Sequence, residues 1–213
     1  NMIYQKTTDM VQIKKCTFEH ITQSYFYKEK SVLDGCMIMQ QTIKPEDVLL
    51  PFQVEAYALL FCISGELNII SDLKSYTVTP DTLFVHLPNN IIKIDCKKEC
   101  TITGLILAPD YLRKNFLQWN KISPLFIQTT NIPVIDIPTK RKDELIRTLG
   151  NIQERMKTAT YSEWNREAYH AALKTFLYDI ISLASDPKSL EIKDVYQSRS
   201  QDYFARFMQL VSQ

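Results

Sequence analysis

The stretch Tyr57-Ala-Leu-Leu-Phe-Cys-Ile-Ser-Gly-Glu-Leu-Asn-Ile-Ile70 decides the fold. It reads as a short apolar β run, a break at Ser64-Gly65 and a second run from Glu66. Ser64-Gly65 is a tight strand-to-strand turn, because glycine takes turn conformations closed to other residues. The same texture extends to both sides. Met37–Ile43 precedes it, and Ser75–Val78, Thr82–Val85, Ile91–Cys96 and Thr101–Leu107 follow. Between them stand Lys44-Pro45-Glu46-Asp47, Ser71-Asp72, Thr79-Pro80-Asp81 and Pro88-Asn89-Asn90. Strands spaced roughly ten residues apart, with turn residues between, predict an antiparallel sandwich or barrel.

After Pro109 the period changes to that of helices. Asp110–Trp119 can form a short helix. Asn131–Pro138 is extended, its prolines ruling out a central strand. Arg141–Lys157 carries Leu145, Leu149, Ile152 and Met156 on one face. Thr160-Tyr-Ser-Glu163 is a candidate capping box opening a second helix, about 162–184, that buries Trp164, Ala168, Ala172, Phe176 and Ile180. Asp186-Pro187 ends it. Tyr169, Leu173, Phe176, Leu177, Ile180 and Ile181 together cover more than one stripe of that helix. One face can pack on the preceding helix and leave a second for a subunit partner. Residues 185–197 read as a polar linker. Phe204, Phe207, Leu210 and Val211 then mark one stripe of a helix with no stop signal before Gln213, as expected of a chain that continues.

Composition narrows the function. In 213 residues, 25 Lys and Arg face 24 Asp and Glu, for a net charge of +1. This piece therefore lacks the basic footprint of a nucleic-acid surface. Five cysteines without ligand-like spacing read as reduced thiols of a cytoplasmic protein. The N-terminus has no signal-peptide core, and Asn1 ahead of Met2 looks like a cloning remnant. The longest apolar run is far short of a membrane span.

Catalytic equipment is sparse. The four glycines stand apart, so no glycine-rich loop can cradle phosphate. Ser64 lacks the preceding glycine of a nucleophile elbow. His20, His86 and His170 fall in separate segments, so no metal site and no catalytic set is expected. Met37, Met39, Tyr57, Phe61, Phe84 and His86 are the candidates for lining a small-molecule cavity; the plainer alternative is that they fill an ordinary core. Glu55, Glu66 and His86 are what a metal enzyme would have to use.

The order of parts resembles the AraC-type transcriptional regulators, specifically their cupin-like sensor half. Ala58–Leu67 looks like that family's strand and Gly-Glu hairpin. Val78–Pro88 is similar to its turn and following strand, with Asp81-Thr82 in place of the usual Gly-Asp. Ile106–Leu112 looks like the exit from the barrel into a short helix. Arg199–Val211 is similar to the segment that precedes the family's DNA-binding domain. The resemblance implies an α+β chain: a cupin-like antiparallel β-barrel (double-stranded β-helix) over residues 1–108, then a helical hairpin for dimerisation over 109–184. Residues 185–213 would be a linker and the start of a helix. It implies a homodimer, a small-molecule effector without a cofactor, and DNA contacted through helix-turn-helix motifs absent from this chain. Pro51-Phe-Gln-Val-Glu-Ala-Tyr57 lacks the His-x-His pair of metal-binding cupins. A cupin-type metalloenzyme and a stand-alone ligand-binding module are the alternatives.

Overall fold

The computed structural model describes residues 13–24, 29–47, 50–115 and 133–184. The strands are β1 (Lys14–Thr17), β2 (Glu29–Leu33), β3 (Cys36–Ile43), β4 (Phe52–Glu55), β5 (Tyr57–Ser64), β6 (Leu67–Ser71), β7 (Lys74–Val78), β8 (Thr82–His86), β9 (Ile91–Asp95), β10 (Cys100–Leu107) and β11 (Val134–Asp136). Helix α1 (Phe18–Thr22) follows β1, α2 (Pro109–Asn115) follows β10, and α3 (Thr139–Thr158) and α4 (Glu163–Ala184) complete the described chain.

Two sheets carry the strands in the orders β1-β4-β9-β6-β7 and β11-β8-β5-β10-β3-β2. From β3 to β10 the chain passes repeatedly from one sheet to the other, so that β4-β9-β6-β7 lies in one sheet and β8-β5-β10-β3 in the other. That strand order is the jelly roll, the double-stranded β-helix expected from sequence. Its strands form two sheets rather than one closed barrel. Every pairing is antiparallel except β1 with β4.

Register places the side chains in transverse rows. His86 pairs with Ala58, Ala58 with Ile106, and Ile106 with Met37. The adjacent inward row runs Phe84, Leu60, Gly104, Met39. Residues one step along each strand (Val85, Leu59, Leu105 and Ile38) face the other way. The two faces accordingly feed two cores. An inner one contains Met37, Met39, Leu60, Phe84 and Ile106, and an outer one contains Ile38, Leu59, Phe61, Leu83 and Leu105 together with the helices.

Helix α3 buries Leu145, Leu149, Ile152 and Met156, the stripe read from sequence. Helix α4 differs from expectation. Asn165 N–H donates to Ser162 Oγ at 3.1 Å, so Ser162 rather than Thr160 caps it. Trp164 and Ala168 are exposed and Ala172 is half-buried; the buried stripe starts at Tyr169. The two helices share the outer core with one sheet, and β11 joins that sheet's edge, so residues 133–184 pack on the outside face of the jelly roll. Residues 116–132 and 185–213, with the end of the first expected helix and all of the last one, lie outside the described residues.

Gly104 sits mid-strand between β5 and β3, where a Cβ would stand 2.7 Å from Leu60 Cδ2, 2.8 Å from the Leu59 carbonyl oxygen and 3.2 Å from Met39 Cε. A backbone oxygen cannot step aside as a side-chain tip can. Gly104→Ala is expected to destabilise the chain by about 1–3 kcal/mol, read as a lowered midpoint in urea unfolding.

Candidate functional site

The cavity-lining candidates divide between the two cores. Met37, Met39, Phe84 and His86 lie on inward rows; Tyr57 and Phe61 lie on the outer face. Phe61 packs against Phe176 of α4 with ring centroids 6.4 Å apart. Met37, Met39 and Phe84 are fully buried in the inner core.

His86 is the exception among these apolar neighbours. It is 2% exposed. Its Nε2 lies 3.4 Å from the Val54 carbonyl oxygen, and its Nδ1 has no hydrogen-bond partner among the described residues. Burial pulls its pKa down from 6.5 to about 4, against smaller opposing effects of the Val54 carbonyl and Asp72. The ring is therefore neutral near pH 7. With the proton on Nε2 facing Val54, Nδ1 presents a buried lone pair that a small donor would satisfy.

Glu55 and Glu66 do not join it. Glu55 alternates with inward-facing Val54 and is half-exposed, and Glu66 lies on the surface. The three side chains are not brought together. Among the described residues no group of three His, Cys, Asp or Glu side chains is placed to hold a metal.

The dimer candidates are placed against expectation. Tyr169, Leu173, Phe176, Leu177 and Ile180 are buried in the outer core, and only Ile181 is half-buried. The sheet's outer face, apolar on β3, β5, β8 and β10, needs a cover, and this stripe provides it. The five buried side chains are enclosed by the chain's own sheet and helices. The opposite face of α4 carries Trp164, Ala168, Ala171, Thr175, Tyr178 and Ser182, all exposed and spaced alternately four and three residues apart.

A polar bridge that the sequence did not suggest joins α4 to the β2–β3 hairpin. Asp34 and Gly35 form its turn, both with positive φ (50° and 80°), which suits a two-residue hairpin. The Asp34 carboxylate lies 3.3 Å from Arg166 Nε and 3.6 Å from His170 Nε2. His170 Nδ1 meets the Tyr111 hydroxyl of α2 at 2.9 Å, and the two rings stack. Deeper in, the Tyr169 hydroxyl lies near Cys36 and Tyr111 without meeting hydrogen-bond geometry with either. Burial pushes the Cys36 thiol up to about 12, so it is no nucleophile at neutral pH. The bridge fastens helix to sheet. The Asp34-Gly35 pair was its one visible signal in sequence; His170 and Tyr111 gave none.

No protein-family model matches the chain, and no curated protein does. Solved structures do match part of it. The Clostridium difficile EutQ protein shares 14% identity over 35% of this chain, which spans 58% of that protein, with a TM-score of 0.31. A cupin superfamily protein from Desulfitobacterium hafniense shares 15% identity over 37% of this chain and 72% of its own, with a TM-score of 0.35. The cupin domain of Schizosaccharomyces pombe Cnp3 shares 8% over 40% of this chain and 66% of its own, with a TM-score of 0.36. At these scores the fold rests on the strand order itself. No described helix is long and apolar enough to cross a membrane.

The depressed pKa of His86 makes stability depend on pH. Below about 6.5 the unfolded chain takes up a proton that the folded one refuses until about 4. Stability from this group is thus complete above that window and is lost as pH falls through it, by about 3 kcal/mol. Urea unfolding of His86→Leu at several pH values is expected to lack that component of the wild-type slope.

Proposed function

We propose that this chain is the effector-sensing and dimerisation part of a DNA-binding transcriptional regulator of AraC type. The observation that carries the reading is a single sheet with two assignments. Strands β3, β5, β8 and β10 present Met37, Met39, Phe84 and His86 inward, and the residues beside them outward against α4. A small molecule donating a hydrogen bond to His86 Nδ1 must repack the inner rows to enter. Methionines 37 and 39 have the unbranched, adaptable side chains for that. Any shift of those strands changes the surface on which α4 rests, and the Asp34–His170–Tyr111 bridge ties the helix to the same strands. The effector then acts by favouring one arrangement of helix and sheet over another.

Dimerisation belongs to the exposed seam of α4. The alternating four-three spacing of Trp164, Ala168, Ala171, Thr175, Tyr178 and Ser182 suits helix-to-helix packing between copies. Two copies would set the spacing of the DNA-binding units that the resemblance places after this segment. Ala171→Glu, on the helix surface, is expected to convert a dimer to a monomer in sedimentation while leaving the circular dichroism unchanged. A wild-type chain that sediments as a monomer at every concentration rejects the seam.

The regulator reading is tested by titrating labelled DNA from upstream of the parent gene with this chain and with one extended past Gln213. Specific binding, relative to scrambled DNA, is expected of the extended chain alone. If the extended chain binds both DNAs equally at every salt concentration, the reading fails.

A further inference from the structure

We propose that Cys96 and Cys100 form a dithiol–disulfide pair, a redox modification site at the β9–β10 turn that takes hydrogen peroxide or a small disulfide as oxidant. Their Sγ atoms lie 3.4 Å apart with both thiols free. At that separation the two sulfurs are in direct contact, and closing to a bond of about 2 Å brings them together without passing another group. Cys96 Sγ also faces the Lys98 and Ile43 carbonyls, as Cys62 Sγ faces those of Ser64 and Gly65; what distinguishes Cys96 and Cys100 is their direct sulfur–sulfur contact. Cys16 and Cys36 lie on other strands. The pairing is thus singled out by geometry.

The order of attack follows from access. Cys96 is 8% exposed beside the exposed residues Lys97, Lys98 and Glu99, whereas Cys100 is 1% exposed. Cys96 sulfur attacks one peroxide oxygen; the O–O bond breaks, giving a sulfenic acid and one water. Cys100 sulfur then attacks Cys96 Sγ, the S–O bond breaks, and the second water leaves with the Cys100 proton. Two thiols and one peroxide become one disulfide and two waters. With a small disulfide the same two attacks release two small thiols. Burial first, and the neighbouring Cys96 next, push the Cys100 thiol up to about 12. The closing step is therefore slow at neutral pH and quickens as pH rises.

Closure would act on a place with shape of its own. The turn 97–99 lies directly on the β5–β6 turn, where a Cβ on Gly65 would stand 2.5 Å from the Glu99 carbonyl oxygen and 2.9 Å from Cys100. Gly65, Glu66, Lys97, Lys98 and Glu99 also line an open cleft of about 620 Å³. A disulfide across the turn would close Lys97–Glu99 into a small ring and fix that rim.

The test is a peptide map of the peroxide-treated chain. Trypsin cuts after Lys97 and Lys98, so Ile94–Lys97 and Glu99–Arg113 separate unless the disulfide joins them. The expected result is that the two peptides travel together, two hydrogens lighter, and part on reduction. Cys100→Ser is expected to stop at the sulfenic acid on Cys96, captured by a dimedone probe, and amide exchange at Lys97–Glu99 is expected to slow in the oxidised wild type. Both thiols remaining free, Cys96 linking to Cys62, or a link between chains would each overturn the proposal.

Discussion

Strand β10 is held on both sides along its length, by β3 over eight paired positions and by β5 over seven. Being enclosed in this way, it has no freedom of phase: a slip of one residue would turn Ile102 and Ile106 outward and Leu105 and Leu107 inward. The absent side chain at Gly104 is part of the same constraint, because it leaves room for Leu60 and Met39 to meet over the strand. Once β10 is fixed, the inner rows and the helix-bearing face are fixed with it.

The helices depend on that outer face. Leu173, Phe176, Leu177 and Ile180 cover Leu59, Phe61 and Leu83, so α4 is a structural layer of the jelly roll before it is anything else. Apolar burial gives the contact its strength but little of its angle, since such contacts are non-directional. Direction comes from the Asp34 carboxylate and the His170–Tyr111 contact, which work only when the helix, the hairpin and α2 stand in register. His86 has the complementary character on the inner side, a buried polar group with one ring nitrogen left unpaired among the described residues.

Much of this was legible in sequence. The turn residues marked the jelly-roll strands from β5 to β10, and the spacing of Leu145, Leu149, Ile152 and Met156 gave the buried face of α3. Strands β1, β2 and β4 escaped, being short and, like Glu29-Lys-Ser-Val-Leu33, polar enough to read as loop. The inward set was misassigned at Tyr57 and Phe61 because β5 is buried on both faces from Ala58 to Cys62, so its sequence carries no alternation to set the phase. Helix α4 was ambiguous for a like reason: Trp164, its largest apolar residue, is 81% exposed. The polar bridge was beyond reach because Asp34, Tyr111 and His170 meet only after folding.

The pairing of β3 with β10 also dictates how the chain can come to be folded. Thr103 donates to the Met39 carbonyl across 64 residues of sequence, and the whole ladder between these strands closes loops of similar size. Such contacts form late, after most of the loop entropy has been lost. During synthesis β3 leaves the ribosome with β2 as its hairpin partner and its inner edge bare until β10 follows. Met37 and Met39 are then exposed to other chains, which makes this interval the one in which the chain is most open to aggregation.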